Sequence, residues 1–430
     1  MPDAPTVALV LPGGGARGAY EIGAMAELLP ALEARGERVS VFCGTSVGAI
    51  NAALLASLAD RTASEQAIAA AARWGELSKG QVIRPLVGPG LPLTLLRFVG
   101  EALEMPGVRL ASLLDPTPLA SSLDRWVDWV ALRRQVGRRR VKAVCVVATS
   151  LSRGRPVAFV DTREALPASD GIDFMRVRLG AEHVRASAAI PLLFPPVEVT
   201  QPRAARDHYI DGGTRLNTPI KPALALGADR VIVVGFEPLA GGGTGNGRHA
   251  ARPRLADVAA NVVDGLLVDQ VAEDLHRMVA INSFFAEHAT GGLSPAARAY
   301  RRSRGRPPYR RVSYALVSPE SRGEIGRIAE RVFERRYGGL RGLLSPDYPL
   351  LSRLLGGRTR SRGELLSFLL FDREFVSELI EAGRRDARRW LDRHPAFWCS
   401  DPAHDFDVGE ADPDRARDDD ALEEWRALRR

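Results

Sequence analysis

The chain holds only three cysteines, Cys43, Cys145 and Cys399, in 430 residues. They are too few and too scattered for a disulfide framework or a zinc site. Cys43 and Cys145 sit in apolar, strand-like runs that suit a small buried hydrophobe. No stretch reaches the ~18 apolar residues of a membrane-spanning helix. The opening MPDAPTVALVLPGGG has no basic region ahead of its apolar run, and Pro12 and the glycines interrupt it, so it does not read as a signal peptide. These absences predict a cytoplasmic protein, with any membrane contact confined to its surface. Histidine is scarce, and none of the seven stands in a strand-end loop with triad-like surroundings, His208 coming nearest. The arginine clusters at 133–140 and 301–311 lack interleaved stacking aromatics apart from Tyr309, which argues against nucleic acid. A solvated loop is the default reading of such clusters, and contact with anionic lipid is the alternative.

What is present is ordinary for a globular protein: 45% apolar and 26% charged residues. A net charge of +7 permits attraction to anionic partners but says nothing about fold. The chain begins strand, glycine loop, helix, strand. Val7 to Leu11 is a compact apolar run, Gly13 to Gly18 is the loop, an amphipathic helix ends near Gly36, and Val39 to Cys43 is the second strand. Such a βαβ unit implies a parallel sheet. The second strand runs into Gly44-Thr45-Ser46-Val47-Gly48 and then an alanine- and leucine-rich helix. G-x-S-x-G between strand and helix is the context of a nucleophile elbow, where flanking glycines permit the tight turn that exposes the serine hydroxyl. The helix that follows aims its first N–H groups at the place where negative charge develops in acyl transfer. The plain alternative is a strand-to-helix turn that contains a serine.

Gly13, Gly15 and Gly18 also fit the dinucleotide pattern G-x-G-x-x-G. That fingerprint needs an acidic residue near the end of the second strand, where this chain has the Ser46 elbow. A phosphate-binding Walker loop fails because no Gly-Lys-Ser/Thr follows. The loop fits better as an oxyanion hole made of bare backbone N–H groups beside Ser46. A structural turn stays open.

Farther on, Thr62 to Leu77 has a helical pattern, and Leu119 to Leu132 reads as one helix. Val82 to Val108 is apolar but broken by prolines and glycines. It fits a cap over an apolar cleft, a lipid-touching surface or an irregular connection equally well. Val141–Ser150, Arg155–Asp161, Arg230–Phe236 and Val312–Val317 read as strands. His208-Tyr209-Ile210 leads into Asp211-Gly212-Gly213, a turn that leaves a carboxylate at a strand end. The expected division is a catalytic core over 1–237, a flexible glycine-rich loop over 238–254, a helical part over 255–398 that completes or flanks the core, and an acidic, disordered tail over 399–430.

Four stretches together carry a resemblance: Gly13-Gly14-Gly15-Ala16-Arg17-Gly18, Gly44-Thr45-Ser46-Val47-Gly48, Ala186-Ser187-Ala188-Ala189-Ile190-Pro191 and Asp211-Gly212-Gly213. In this order and spacing they resemble the patatin-like phospholipases over about Val7 to Phe236, and the helical stretch from Leu365 to Arg385 looks like bacterial members. The resemblance implies a three-layer α/β/α hydrolase with a mostly parallel central sheet and a helical C-terminal extension. It implies a Ser–Asp dyad, with Ser46 as nucleophile and Asp211 as proton acceptor. The oxyanion-hole loop would be Gly13, Gly14, Gly15, Ala16, Arg17 and Gly18, with Arg17 either holding the loop or meeting a lipid phosphate. The Ala186–Pro196 segment would pack beside the nucleophile helix. The implied substrate is a lipid or phospholipid, and the mechanism calls for neither metal nor cofactor. Rival readings are an esterase or thioesterase on soluble acyl substrates, a non-catalytic lipid-binding protein and a nucleotide-binding enzyme. An exposed aspartate, with a pKa of about 3.9, matches a serine hydroxyl poorly; partial burial would raise that pKa.

Overall fold

Val7–Leu11 (β1), Val39–Thr45 (β2) and Ala143–Ser150 (β3) are apolar, largely β-branched runs, and such runs make strands covered on both faces. A computed structural model describes residues 5–77, 117–168, 171–191, 194–238, 303, 312–337 and 361–399. The Val82–Val108 segment, all but the first residue of the 238–254 loop, nearly all of the 301–311 cluster and the tail from 400 lie outside the described residues. Every residue of β1 and β3 is buried, and β2 exposes only part of Ser40. The remaining strands are Pro156–Thr162 (β4), Asp173–Arg176 (β5), Val197–Val199 (β6), Asp207–Asp211 (β7), Arg230–Val234 (β8) and Ser313–Val317 (β9).

They form one sheet in the order β5-β4-β3-β2-β1-β8-β9. From β3 to β9 all neighbours are parallel, and β4 runs antiparallel to β3. The fold is therefore α/β with a mostly parallel central sheet. One departure from regular order positions the site. β2 pairs with β3 as far as Thr45 opposite Val147. At the next residue, Ala148, the partner becomes Asp211 of the antiparallel β7. Ala148 also pairs with Val157 of β4 on its other side, so β7 takes over the edge of β3 that β2 has just left. The residue after Thr45 is Ser46.

The helices are α1 (Gly18–Glu33), α2 (Val47–Ser57), α3 (Ala63–Gly75), α4 (Thr117–Trp126), α5 (Trp129–Gly137), α6 (Ala181–Ser187), α7 (Ile220–Ala225), α8 (Glu324–Tyr337), α9 (Ser361–Leu369) and α10 (Arg373–Arg393). The single helix expected over Leu119–Leu132 is two. Asp128 ends the first and caps α5, its carboxylate accepting from Ala131 N–H at 2.8 Å. α2 lies across β1, β2 and β3, and α10 packs along α1 and touches β9. Buried Phe375, Val376, Leu379, Ala382, Gly383, Ala387 and Trp390 form one stripe of α10. Where α10 meets α1 each helix presents a glycine to the other's backbone: a Cβ on Gly23 would lie 2.1 Å from the Ile380 carbonyl oxygen, and one on Gly383 at 2.1 Å from that of Tyr20. The Tyr20 hydroxyl donates to Asp386 at 2.7 Å across the same contact. Beyond α10, Cys399 bridges to Tyr314 of β9 through two backbone hydrogen bonds of 2.8 Å. No helix among the described residues is long and apolar enough to cross a membrane.

Candidate active site

Ser46 stands between β2 and α2 with φ 52° and ψ −121°. A side-chain-bearing residue pays about 1–3 kcal/mol for such a backbone, which persists only where the surroundings enforce it. The enforcement is local. A Cβ on Gly44 would lie 2.1 Å from the Gly48 carbonyl oxygen, and one on Gly48 at 2.2 Å from that of Leu11, so the turn closes only with glycine on both sides. Ser46 N–H donates to Ser187 Oγ at 2.8 Å, and the Ser187 hydroxyl donates to the Val147 carbonyl at 2.5 Å. The Ala186–Pro196 segment thus reaches the elbow itself as well as packing near α2. Thr45 adds a tie to the Leu216 carbonyl at 3.1 Å.

The parallel register sets Leu11 opposite Gly44, which brings Gly13 level with Ser46. A Cβ on Gly13 would fall 3.0 Å from Ser46 Cβ. Gly13 N–H is already engaged, donating to Asn217 Oδ1 at 3.0 Å. Gly14 and Gly15 N–H find no acceptor among the described residues, and Gly15 holds the left-handed conformation with φ 57°. Ala16 is buried, and Gly18 opens α1. Of the two expectations for Arg17, the phosphate contact does not hold. The side chain is 1% exposed, donating from Nε to Ser367 Oγ at 2.6 Å and from Nη2 to the Glu364 carbonyl at 2.7 Å, with the Glu364 carboxylate paired to it. Nearby Glu237 is pushed up to about 7, first by burial and then by the charge of Glu364.

Asp211 is fully buried. Its Oδ1 accepts from Gly213 N–H at 2.7 Å, while its own N–H donates to the Ala189 carbonyl at 2.8 Å. Gly212 begins the 3-10 turn that swings Gly213 N–H back onto the carboxylate. Burial pushes Asp211 up to about 6, and hydrogen bonding from Ser46 and Gly213 offsets part of that rise. Oδ2 has no hydrogen bond of full geometry. The Ser46 side chain is among the groups that influence the Asp211 carboxylate. His208, on the same strand, points to the opposite, exposed face from Asp211. His183 is buried against Phe159, and burial pushes it down to about 4. Neither histidine contacts Ser46 or Asp211 among the described hydrogen bonds.

An apolar cleft opens at Ser46, walled by Ile50, Trp74, Leu119, Trp126, Ile190 and Phe371. Trp74 is fixed by an interior network that the sequence did not reveal. Its indole N–H donates to Asn51 Oδ1 at 2.8 Å, and Asn51 Nδ2 donates to Glu21 at 2.7 Å. Burial raises the Glu21 carboxyl well above its ordinary value, and the hydrogen bond from Asn51 offsets part of that rise. The sequence reading placed the stretch holding Ser187 beside the nucleophile helix but did not single out Ser187 itself, nor Asn217, Glu364 or Ser367. Among the described residues no three His, Cys, Asp or Glu side chains gather where they could hold a metal ion.

A sequence model of the patatin-like phospholipase family matches residues 9–224, half of the chain. The chain belongs to the patatin-like phospholipases. Lipid hydrolysis is the activity that membership carries. No curated protein sequence matched. Among solved structures, this patatin-like phospholipase is similar to VipD from Legionella pneumophila at 14% identity over 91% of this chain and 67% of that one, with a TM-score of 0.31. The human GIVD cytosolic phospholipase A2, solved with methyl gamma-linolenyl fluorophosphonate, is similar at 13% identity over 90% of this chain and 60% of that one, TM-score 0.31. ExoU, in its complex with SpcU from the type III secretion system of Pseudomonas aeruginosa, is similar at 20% identity, 90% and 72% coverage and a TM-score of 0.24. The chain thus spans less than two thirds of the human enzyme.

Proposed function

We propose that this patatin-like phospholipase cleaves lipid ester bonds in the manner of a phospholipase A, through a Ser46–Asp211 dyad and an acyl-serine intermediate. The observation that carries the reading is a fully buried carboxylate, pushed up to about 6, on the strand that meets β3 where the serine elbow departs. At neutral pH such a group is ionised yet basic enough to accept a proton. Ser46 Oγ attacks the ester carbonyl as its proton passes to Asp211 Oδ2. The carbonyl electron pair moves onto oxygen, where Gly14 and Gly15 N–H receive it. Collapse expels the alcohol, which takes the proton from Asp211. Water then repeats the sequence on the acyl-serine, yielding the fatty acid. The apolar wall of Trp74, Leu119, Trp126 and Phe371 favours a long acyl chain over a small soluble one.

The test is hydrolysis of phospholipid vesicles and of a short p-nitrophenyl ester by wild type, Ser46→Ala and Asp211→Asn, each shown to be folded by circular dichroism. Both variants are expected to lose about 10³-fold or more in kcat. Full activity in Ser46→Ala would refute the dyad. A wild type that cleaves only the short ester points to a soluble esterase or thioesterase. One that binds vesicles but cleaves nothing points to a lipid-binding protein.

A further inference from the structure

The glycine loop is held from two directions. Asn217 fixes Gly13, and α9, which lies outside the segment matched by the family, fixes residues 15 to 17. Arg17 lies in the 3-10 turn Gly15–Arg17, and its guanidinium bonds to α9 through Nε and Nη2. It bonds the Ser367 hydroxyl, the Glu364 carbonyl and the Glu364 carboxylate, and lies 4.1 Å from the centre of the Phe368 ring. A planar fork with several donors suits this set of acceptors, whereas an ammonium would meet them one at a time. The backbone completes the clamp. A Cβ on Gly15 would lie 2.2 Å from the Phe368 carbonyl oxygen, so the loop rests directly on α9. Gly14 and Gly15, whose N–H groups lack acceptors among the described residues, occupy the span between the two anchors.

We infer that Glu364 and Ser367 are positioning residues of the esterase site, acting through Arg17 to hold Gly14 and Gly15 N–H where the oxyanion forms. The inference rests on the hydrolase reading above. It makes the C-terminal helix part of the catalytic apparatus although no residue of α9 needs to touch the reacting atoms. Oxyanion donors work because they need no reorganisation during reaction, so a loop released from α9 loses transition-state stabilisation while the apolar cleft still takes up the acyl chain.

The experiment compares wild type with Glu364→Gln, Ser367→Ala, Ser367→Thr and Arg17→Lys. Glu378→Gln, which breaks an exposed ion pair to Arg335, serves as control. Three quantities are read on each folded protein: kcat and KM on a phospholipid, inhibition by a long-chain alkyl trifluoromethyl ketone, and inhibition by the alcohol of equal chain length. Ser46 adds to the ketone carbon, its electron pair moves to oxygen and the proton goes to Asp211, so the adduct needs the oxyanion donors and the alcohol does not. Ser367→Ala, Glu364→Gln and Arg17→Lys are expected to lower kcat about 10- to 100-fold with KM changed less than about threefold. Ketone affinity should fall by the same factor as kcat, alcohol affinity should hold, and Ser367→Thr and Glu378→Gln should behave as wild type. Variants that melt earlier yet keep wild-type kcat and ketone affinity overturn the inference, since α9 would then be only structural. If Glu364→Gln does not fold, the Ser367→Ala and Ser367→Thr pair decides. A wild type inert to substrate and ketone overturns the hydrolase reading, and this one with it.

Discussion

If Asp211 is the proposed base, its burial ties activity to stability at a single residue. With its folded pKa near 6, log kcat/KM should rise with unit slope at low pH and level off just above 6. A pH profile on a soluble ester checks this, and a break near 4 would refute it. The same shift lowers stability. Between the ordinary aspartate value and about 6 the folded state holds a proton that the unfolded state has released, so stability falls as pH rises through that window and stays lower above it. Asp211→Asn keeps an acceptor for Gly213 N–H and removes the buried charge. It should raise stability at pH 7 by about 2–3 kcal/mol, seen as a higher melting temperature whose advantage vanishes near pH 4. Ser46 and Asp211 were legible in sequence because glycines mark the backbones they need. Ser187 and Asn217 were not. Each serves a backbone group 141 or 204 residues away, and nothing around Asn217 in the sequence specifies which loop its amide will meet.

At the scale of elements, α1 and α10 cross with their backbones in close approach at Gly23 and Gly383. Gly23→Ala or Gly383→Ala drives a methyl into the opposing backbone and should cost about 1–3 kcal/mol or more, measured by denaturant unfolding with the m-value unchanged. An equal midpoint would mean that the helices separate at little cost. The stretch from Leu365 to Arg385 was readable as helical, but not its division into α9 and α10 or the helix that α10 meets. The break between α4 and α5 was missed because apolar residues continue across Val127 and Trp129, and the Asp128 cap overrides that continuity. The strands of β1, β2, β3 and β8 were the clearest signals, since strands covered on both faces must be apolar throughout.

Across the whole molecule, the expected core over 1–237 should not be self-sufficient. β9 pairs with β8 along Arg230 to Val234, and α10 covers α1, so a chain ending at residue 237 would bare an inner strand edge and an apolar helix face. Such a truncation is expected to aggregate or lose its cooperative melt; a soluble, cooperatively folding fragment would contradict this. Because β2 and β7 dock end to end on one margin of β3, that strand serves as a ruler for the dyad. The spacing of the proposed nucleophile and base is then set by the register along β3 rather than by the length of chain between them. One residue added inside β3 between Val147 and Ala148 would turn the base away from the serine.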